Sequence, residues 1–255
     1  MAKIVDVCTY NGEKDIWDIH YNVLKDHVDE FIVVEFDKTF SGEEKIWTFP
    51  DIWEKYPKVK YFYHLDSQYE KYRELAESSP NTVGAEHWKR EFMQKESIKD
   101  CLTHLDDEDT VFIGDVDEIV DPEITKIEPW FPVKLKLRVY TYYLNNRSTE
   151  AFWGTLMAKY GDVKDSCLNH LRQGAKKSDG YGGCHFTSMK DSLRKKLTDS
   201  YTQESYATPE VLENLAYNIE QDKDFLGRDF KYEIDESEWP EFLMRNRDNY
   251  QHLMK

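Results

Sequence analysis

The chain has 255 residues, with 50 Asp and Glu against 34 Lys and Arg and a formal net charge of −16. Duplex nucleic acid needs cations clustered over its phosphates, so an acidic chain of this kind is ill suited to it. The length allows a large core. No apolar run reaches the ~18 residues of a membrane span, and Met1-Ala2-Lys3-Ile4-Val5-Asp6 lacks a signal-peptide core, so a soluble cytoplasmic protein is expected.

Lys3 to Thr9 carries Ile4, Val5, Val7 and Cys8 and ends in Tyr10-Asn11-Gly12, a strand and its turn. Ile16, Ile19, Val23, Leu24 and Val28 then recur at helical spacing. Phe31 to Phe36 is a continuous apolar strand, and β-α-β order with buried strands points to an α/β fold on a mostly parallel sheet. The polar loop Asp37 to Gly42 lies at a strand's carboxyl end, where open α/β sheets bind ligands. A short helix near Ile52–Tyr56 and a third strand over Val59–Leu65 follow. Asp66 to Ala85, with Ser78-Ser79-Pro80-Asn81, reads as a mobile loop with a helical turn, either a solvated insertion or a lid over a substrate. Trp88, Phe92, Ile98, Cys101, Leu102 and Leu105 mark a helix over Glu86–Leu105. Arg90 in its first turns is a candidate phosphate contact, a surface ion pair being the competing role.

Val111-Phe112-Ile113 is a short apolar strand between acidic clusters, ending in Gly114-Asp115-Val116-Asp117-Glu118. Asp115 and Asp117 are two apart, so both point to one side of an extended chain, where mutual repulsion opposes ionisation. A hard divalent cation, Mn²⁺ or Mg²⁺, shared with a substrate diphosphate removes that conflict. Asp121-Pro122-Glu123 opens a short helix, and Val133 to Leu144 alternates as a half-exposed antiparallel strand. Another strand covers Phe152–Lys159. Gly180-Tyr181-Gly182-Gly183-Cys184-His185 packs three glycines around a histidine, a candidate third metal ligand. Helices are expected over Ser188–Ser200, Pro209–Gln221 and Trp239–Met254. Arg172, Lys176, Lys177, Arg194, Lys195 and Lys196 crowd the third quarter as a local basic patch. Cys8, Cys101, Cys167 and Cys184 fit no metal-ligand spacing and read as free thiols. Tyr10, Asn11 and Glu35 stand at predicted strand ends where a nucleoside would rest.

Several blocks, in order, resemble glycosyltransferase family 17. They are Val28 to Glu35 with Thr39-Phe40-Ser41-Gly42, Trp88-Lys89-Arg90-Glu91 with Gln94 and Ser97-Ile98, Asp115 to Ile119, Phe152-Trp153-Gly154, and Gly182-Gly183-Cys184-His185. This is the family of the β-1,4-mannosyl-glycoprotein β-1,4-N-acetylglucosaminyltransferase. Cys184 departs from it, standing where the family commonly has Trp. The resemblance implies a GT-A-like sheet whose Asp-x-Asp holds a divalent metal on the diphosphate of a nucleotide-sugar donor, most simply a UDP-sugar. It also implies inverting transfer of N-acetylglucosamine or another hexose to a glycan or other hydroxyl-bearing acceptor. Inversion needs a carboxylate to take the acceptor proton; Glu118, Glu150, Asp162 and Asp191 all remain candidates. One domain over 1–255 is expected, with a nucleotide-sugar half (1–120), an acceptor-side half (121–205) and a helical C-terminal extension (206–255). Two other functions compete: a phosphatase of the haloacid dehalogenase type, using Asp-x-Asp as nucleophile and acid, and a non-catalytic nucleotide- or carbohydrate-binding module.

Overall fold

The computed structural model describes residues 2–49, 53–82, 86–199 and 206–255. The chain opens with β1 (Ile4–Thr9), α1 (Lys14–Leu24), β2 (Glu30–Phe36) and β3 (Val59–His64). α2 (Asp66–Tyr69), α3 (Arg73–Ser78) and α4 (Glu86–Ser97) lead to β4 (Thr110–Asp115) and β5 (Glu118–Val120). β6 (Val133–Thr141), β7 (Asn146–Lys159), α5 (Tyr160–Lys164), α6 (Leu168–Gly174), β8 (Lys176–Thr187) and α7 (Lys190–Asp199) follow. α8 (Pro209–Glu220), β9 (Tyr232–Ile234) and α9 (Glu241–Arg245) complete it.

The nine strands form one mixed sheet in the order β3-β2-β1-β4-β7-β6-β8-β5, with β9 added to β7. The β3-β2-β1-β4 half is parallel, and beyond it only β6 and β8 run parallel to each other. Every residue of β2 is buried, as a central parallel strand covered on both faces requires. Its side chains alternate between two cores. Phe31 and Val33 join Trp17, Phe112 and Leu137 on one face, while Ile32 and Val34 join Val7, Met93, Ile113 and Leu156 on the other. A third cluster of Tyr142, Leu193, Leu197, Leu215 and Ile219 fixes α7 and α8 to the sheet.

Several elements differ from their sequence patterns. Asp66–Ser78 is not a solvated loop but two short helices, because Tyr69 and Ala76 are wholly buried beside α4; Val83 to Ala85 lie outside the described residues. The helix from Glu86 tightens into a 3₁₀ turn at Ile98–Cys101. The 3₁₀ turn Trp53–Lys55 falls within the short helix expected near Ile52–Tyr56, Ile52 itself being outside the described residues. β6 is antiparallel to β7 as expected, but parallel to β8. The final apolar stretch is not one helix but α9 and a 3₁₀ segment over Arg247–Leu253, meeting at Asn246. Trp239, Leu243, Tyr250 and Leu253 nevertheless enter the main core, so the C-terminal part packs as an integral piece of the fold. Among the described residues no helix is long and apolar enough to cross a membrane.

Candidate functional site

The site forms where β1 and β4 end. Their parallel register sets Thr9 beside Asp115, and Thr9 Oγ1 donates to Asp115 Oδ1 at 2.7 Å. The turn that follows is held on three sides. Val116 N donates to Thr9 O at 3.1 Å, His20 Nδ1 lies 2.8 Å from Val116 O, and Phe186 N donates to Asp117 O at 2.8 Å. His20 is itself anchored, its Nε2 lying 2.9 Å from Asp6 Oδ1 in β1. A turn clamped in this way fixes both aspartates on a rigid strand end.

Asp117 Oδ2 accepts from Lys196 Nζ at 3.1 Å, and Asp117 Oδ1 lies 3.4 Å from His185 Nε2. Asp115 Oδ2 is 4.0 Å from Lys95 Nζ, which also pairs with Glu91 at 2.6 Å. The sequence predicts mutual repulsion that opposes ionisation; both carboxyls instead sit below the usual range. Burial pushes Asp115 up, but Lys95 and Arg172 override it, and for Asp117 the opposing charges are Lys196 and His185. The repulsion exists and is outweighed by lysines brought from α4 and α7.

Asp115, Asp117, Lys95 and Lys196 line a cleft of about 140 Å³. Tyr10 and Asn11 border it from the β1 turn, Thr39, Phe40 and Lys45 from the loop after β2, and Lys196 and Asp199 from α7. A second hollow shares Asn11, Glu13, Lys45, Asp117 and Lys196, and extends the cleft over Ile16, Ser188 and Met189. Lys45 forms an ion pair with none of the described carboxylates. Burial pushes its ammonium below the ordinary lysine value despite the attraction of Glu35 and Glu13.

Asp115, Asp117, Tyr10 and Asn11 therefore come together, with His185 beside them. Glu35 does not join them. It is wholly buried and accepts from Thr48 Oγ1 at 2.9 Å, Tyr61 Oη at 2.9 Å and Phe49 N at 3.2 Å, so it anchors the loop carrying Lys45 from within the core. Arg90 lines neither hollow. Its guanidinium donates to Phe40 O at 2.7 Å and packs against Gly42, bracing the loop after β2. Of the base candidates, Asp162 lies on α5 at the opposite end of the sheet, because antiparallel β7 ends where β4 begins. Glu150 and Asp191 are exposed, and none of Glu118, Glu150 and Asp191 lines either hollow.

Glu118 is the base candidate that adjoins the aspartates. Only 2% exposed, it accepts from Thr155 Oγ1 at 2.8 Å. Burial, then the charge of Asp115, raises its carboxyl above the ordinary value. It fits only because Gly114 and Gly154 leave room: a Cβ on either would stand 2.7 Å or less from its carboxyl group. Sequence reasoning missed Thr9, Glu13, Lys45, Lys95, Lys196 and Asp199. Of these only Lys196 had a signal, as part of the basic patch.

Among the described residues no three His, Cys, Asp or Glu side chains converge closely enough to hold a metal as they stand. The chemistry of the available donors nevertheless suits one. Two ionised carboxylates and an imidazole suit Mn²⁺ or Mg²⁺ bound with a diphosphate, and His185 Nδ1 is buried with no hydrogen-bond partner among the described residues.

A mixed sheet with a cleft at the carboxyl ends of its parallel strands defines an α/β protein whose cleft lies where open α/β sheets bind ligands. The model of glycosyltransferase family 17 matches residues 1–198, and the chain belongs to that family. It is accordingly a glycosyltransferase, and the phosphatase alternative falls away. The match runs from β1 into α7; α8, β9 and α9 lie beyond it. Similar solved structures are remote. Mouse xyloside xylosyltransferase 1, apo form, shares 8% identity over 79% of this chain and 76% of that one at a TM-score of 0.34. CTP:phosphocholine cytidylyltransferase (LicC) from Streptococcus pneumoniae shares 12% over 80% and 99%, also at 0.34. A search of curated protein sequences finds no match.

Proposed function

We propose that this glycosyltransferase is metal-dependent and inverting, and that its donor is a UDP-sugar. The observation that carries the reading is the Asp115–Asp117 pair on the clamped end of β4, facing a cleft bordered by Tyr10, Asn11 and Lys45. Tyr10 and Asn11 would flank the nucleoside. Lys45, which borders the cleft and pairs with none of the described carboxylates, and Lys196 would place positive charge on the diphosphate, where negative charge gathers as the sugar departs. A divalent cation held by Asp115 and Asp117, with His185 as a further ligand, would add Lewis-acid stabilisation of that leaving group.

The acceptor hydroxyl must lose a proton as it attacks. Glu118 is the carboxylate beside the site, and its raised proton affinity suits a base. Its burial requires the acceptor to approach past Phe152, whose ring lies 4.6 Å from that of His185. The test is a panel of nucleotide sugars with Mn²⁺, followed by donor hydrolysis and by thermal shift, since a ligand of the native state raises its melting temperature. Preference for UDP-sugars, abolished by a chelator, is the expected result. Equal response to every nucleotide sugar, or full activity in chelator, would contradict the donor and metal assignments.

A further inference from the structure

Beside the cleft lies a patch that the donor site does not use. Lys134, Lys136, Lys176, Lys177 and Arg172 stand close to one another on β6, β8 and α6, and none forms an ion pair with a described carboxylate. Acids outnumber bases 50 to 34 in this chain, so five cations in one region that pair with no described carboxylate call for an account. Neighbouring Arg138, by contrast, pairs with Asp121 at 3.1 Å and Glu238 at 2.7 Å. The acidic residue of β8, Asp179, is exposed and meets none of the five in an ion pair. The lysines repel: burial, then Arg172 and Lys177, lower the ammonium of Lys134.

Aromatic rings are interleaved with these charges. Lys136 Nζ lies 4.6 Å from the Tyr181 ring centre and 5.6 Å from that of Trp153, and Lys177 Nζ lies 4.7 Å over Trp153. Trp153 is held by its indole N–H, which donates to Ser178 O at 3.1 Å. The patch adjoins the reaction centre along β7, where Trp153 is flanked by Phe152, whose ring lies 4.6 Å from that of His185, and by Gly154, on which a Cβ would stand 2.6 Å from the Glu118 carboxyl carbon.

We propose that this surface is the acceptor platform and that its occupant is an acidic oligosaccharide, a chain bearing hexuronate carboxylates. The proposal rests on the glycosyl-transfer reading of the adjoining cleft. Sugar rings carry apolar C–H faces that pack on aromatic rings, and ammonium groups held over those rings are in place to donate to a carboxylate. A neutral glycan would leave the cations unmatched. A nucleic-acid strand fits less well, since the patch is bounded by an otherwise acidic chain.

The experiment measures equilibrium binding of a hexuronate-containing oligosaccharide, its carboxyl-reduced neutral counterpart and a single-stranded RNA oligonucleotide, with no donor present. The acidic saccharide should bind about tenfold or more tightly than the neutral one, and less tightly as salt rises. A K136Q/K177Q variant, altering two partly or fully exposed side chains, should lose about tenfold for the acidic saccharide and bind UDP as the unaltered protein does. Equal affinity for the neutral saccharide, tighter binding of RNA, or no effect of K136Q/K177Q would overturn the proposal. Binding does not depend on turnover, so failure of every donor to react would count against the cleft assignment, while selective binding of the acidic chain would still support the platform.

Discussion

Lys196 Nζ stands 3.1 Å from Asp117 Oδ2 and 2.9 Å from Thr187 Oγ1. The third hydrophobic cluster thereby has a functional consequence, because Leu193 and Leu197 fix the helix that delivers this cation to the acidic turn. Burial opposes the charge on Lys196, and Asp117 restores it. Lys196→Ala should raise the Asp117 pKa, read by carboxyl-carbon NMR titration, and weaken UDP binding in chelator about tenfold, as expected for a close opposite charge. An unchanged Asp117 titration would show that the pair does not persist in solution.

His20 makes the site's stability depend on pH. Its two ring nitrogens face Asp6 Oδ1 and Val116 O, so only the imidazolium donates to both. Burial lowers its pKa, but the charge and hydrogen bond of Asp6 outweigh this and leave it raised. For a raised histidine, stability is fully present below the unfolded value of about 6.5 and is lost as pH rises through the folded pKa. Thermal unfolding followed upward from about pH 6 should show that loss, and His20→Gln should flatten it. His185, also raised, has the same sign and is separated by a His185→Gln control.

Gly183 pairs with Val120, and a Cβ added to it would stand 2.2 Å from Ile119 O. The obstacle is backbone, so β5 must move, and Glu118 with it. Gly183→Ala should destabilise by about 2–3 kcal/mol in denaturant unfolding. Gly180→Ala, with nothing within 4 Å of its Cβ, should stay within about 0.5 kcal/mol. Similar losses in both variants would contradict the close approach of β8 to β5.

Glu35 and Arg90 predict a contrast. Glu35→Ala leaves buried donors of Thr48, Phe49 and Tyr61 unsatisfied and should cost about 3 kcal/mol or more. Arg90→Ala frees the loop after β2 from one hydrogen bond, so its stability loss should be only about 1 kcal/mol. A large, selective loss of nucleotide affinity in Arg90→Ala with unchanged stability would restore the phosphate role.

The parallel half of the sheet was legible because β1, β2 and β4 are short, continuous apolar runs whose burial needs no partner to be recognised. β8 was not. Lys176 to Thr187 is polar and glycine-rich, and its extended form comes from pairing with β6 and β5. Asp115, Asp117, Tyr10 and Asn11 were readable from position at strand ends. Glu35 sits at such an end too, but its side chain turns into the core, which only the packing of Thr48 and Tyr61 reveals. Lys45, Lys95 and Lys196 come from three separate segments, so no local pattern announces their convergence.

The most direct measurement is a calorimetric titration of UDP into the protein and into Asp117→Asn, each with and without Mn²⁺. Mn²⁺ should tighten binding to the unaltered chain by at least about tenfold, and Asp117→Asn should abolish that gain while its unfolding curve keeps the same cooperative form. Equal Mn²⁺-dependent affinity in the two proteins would contradict a nucleotide diphosphate site at the end of β4.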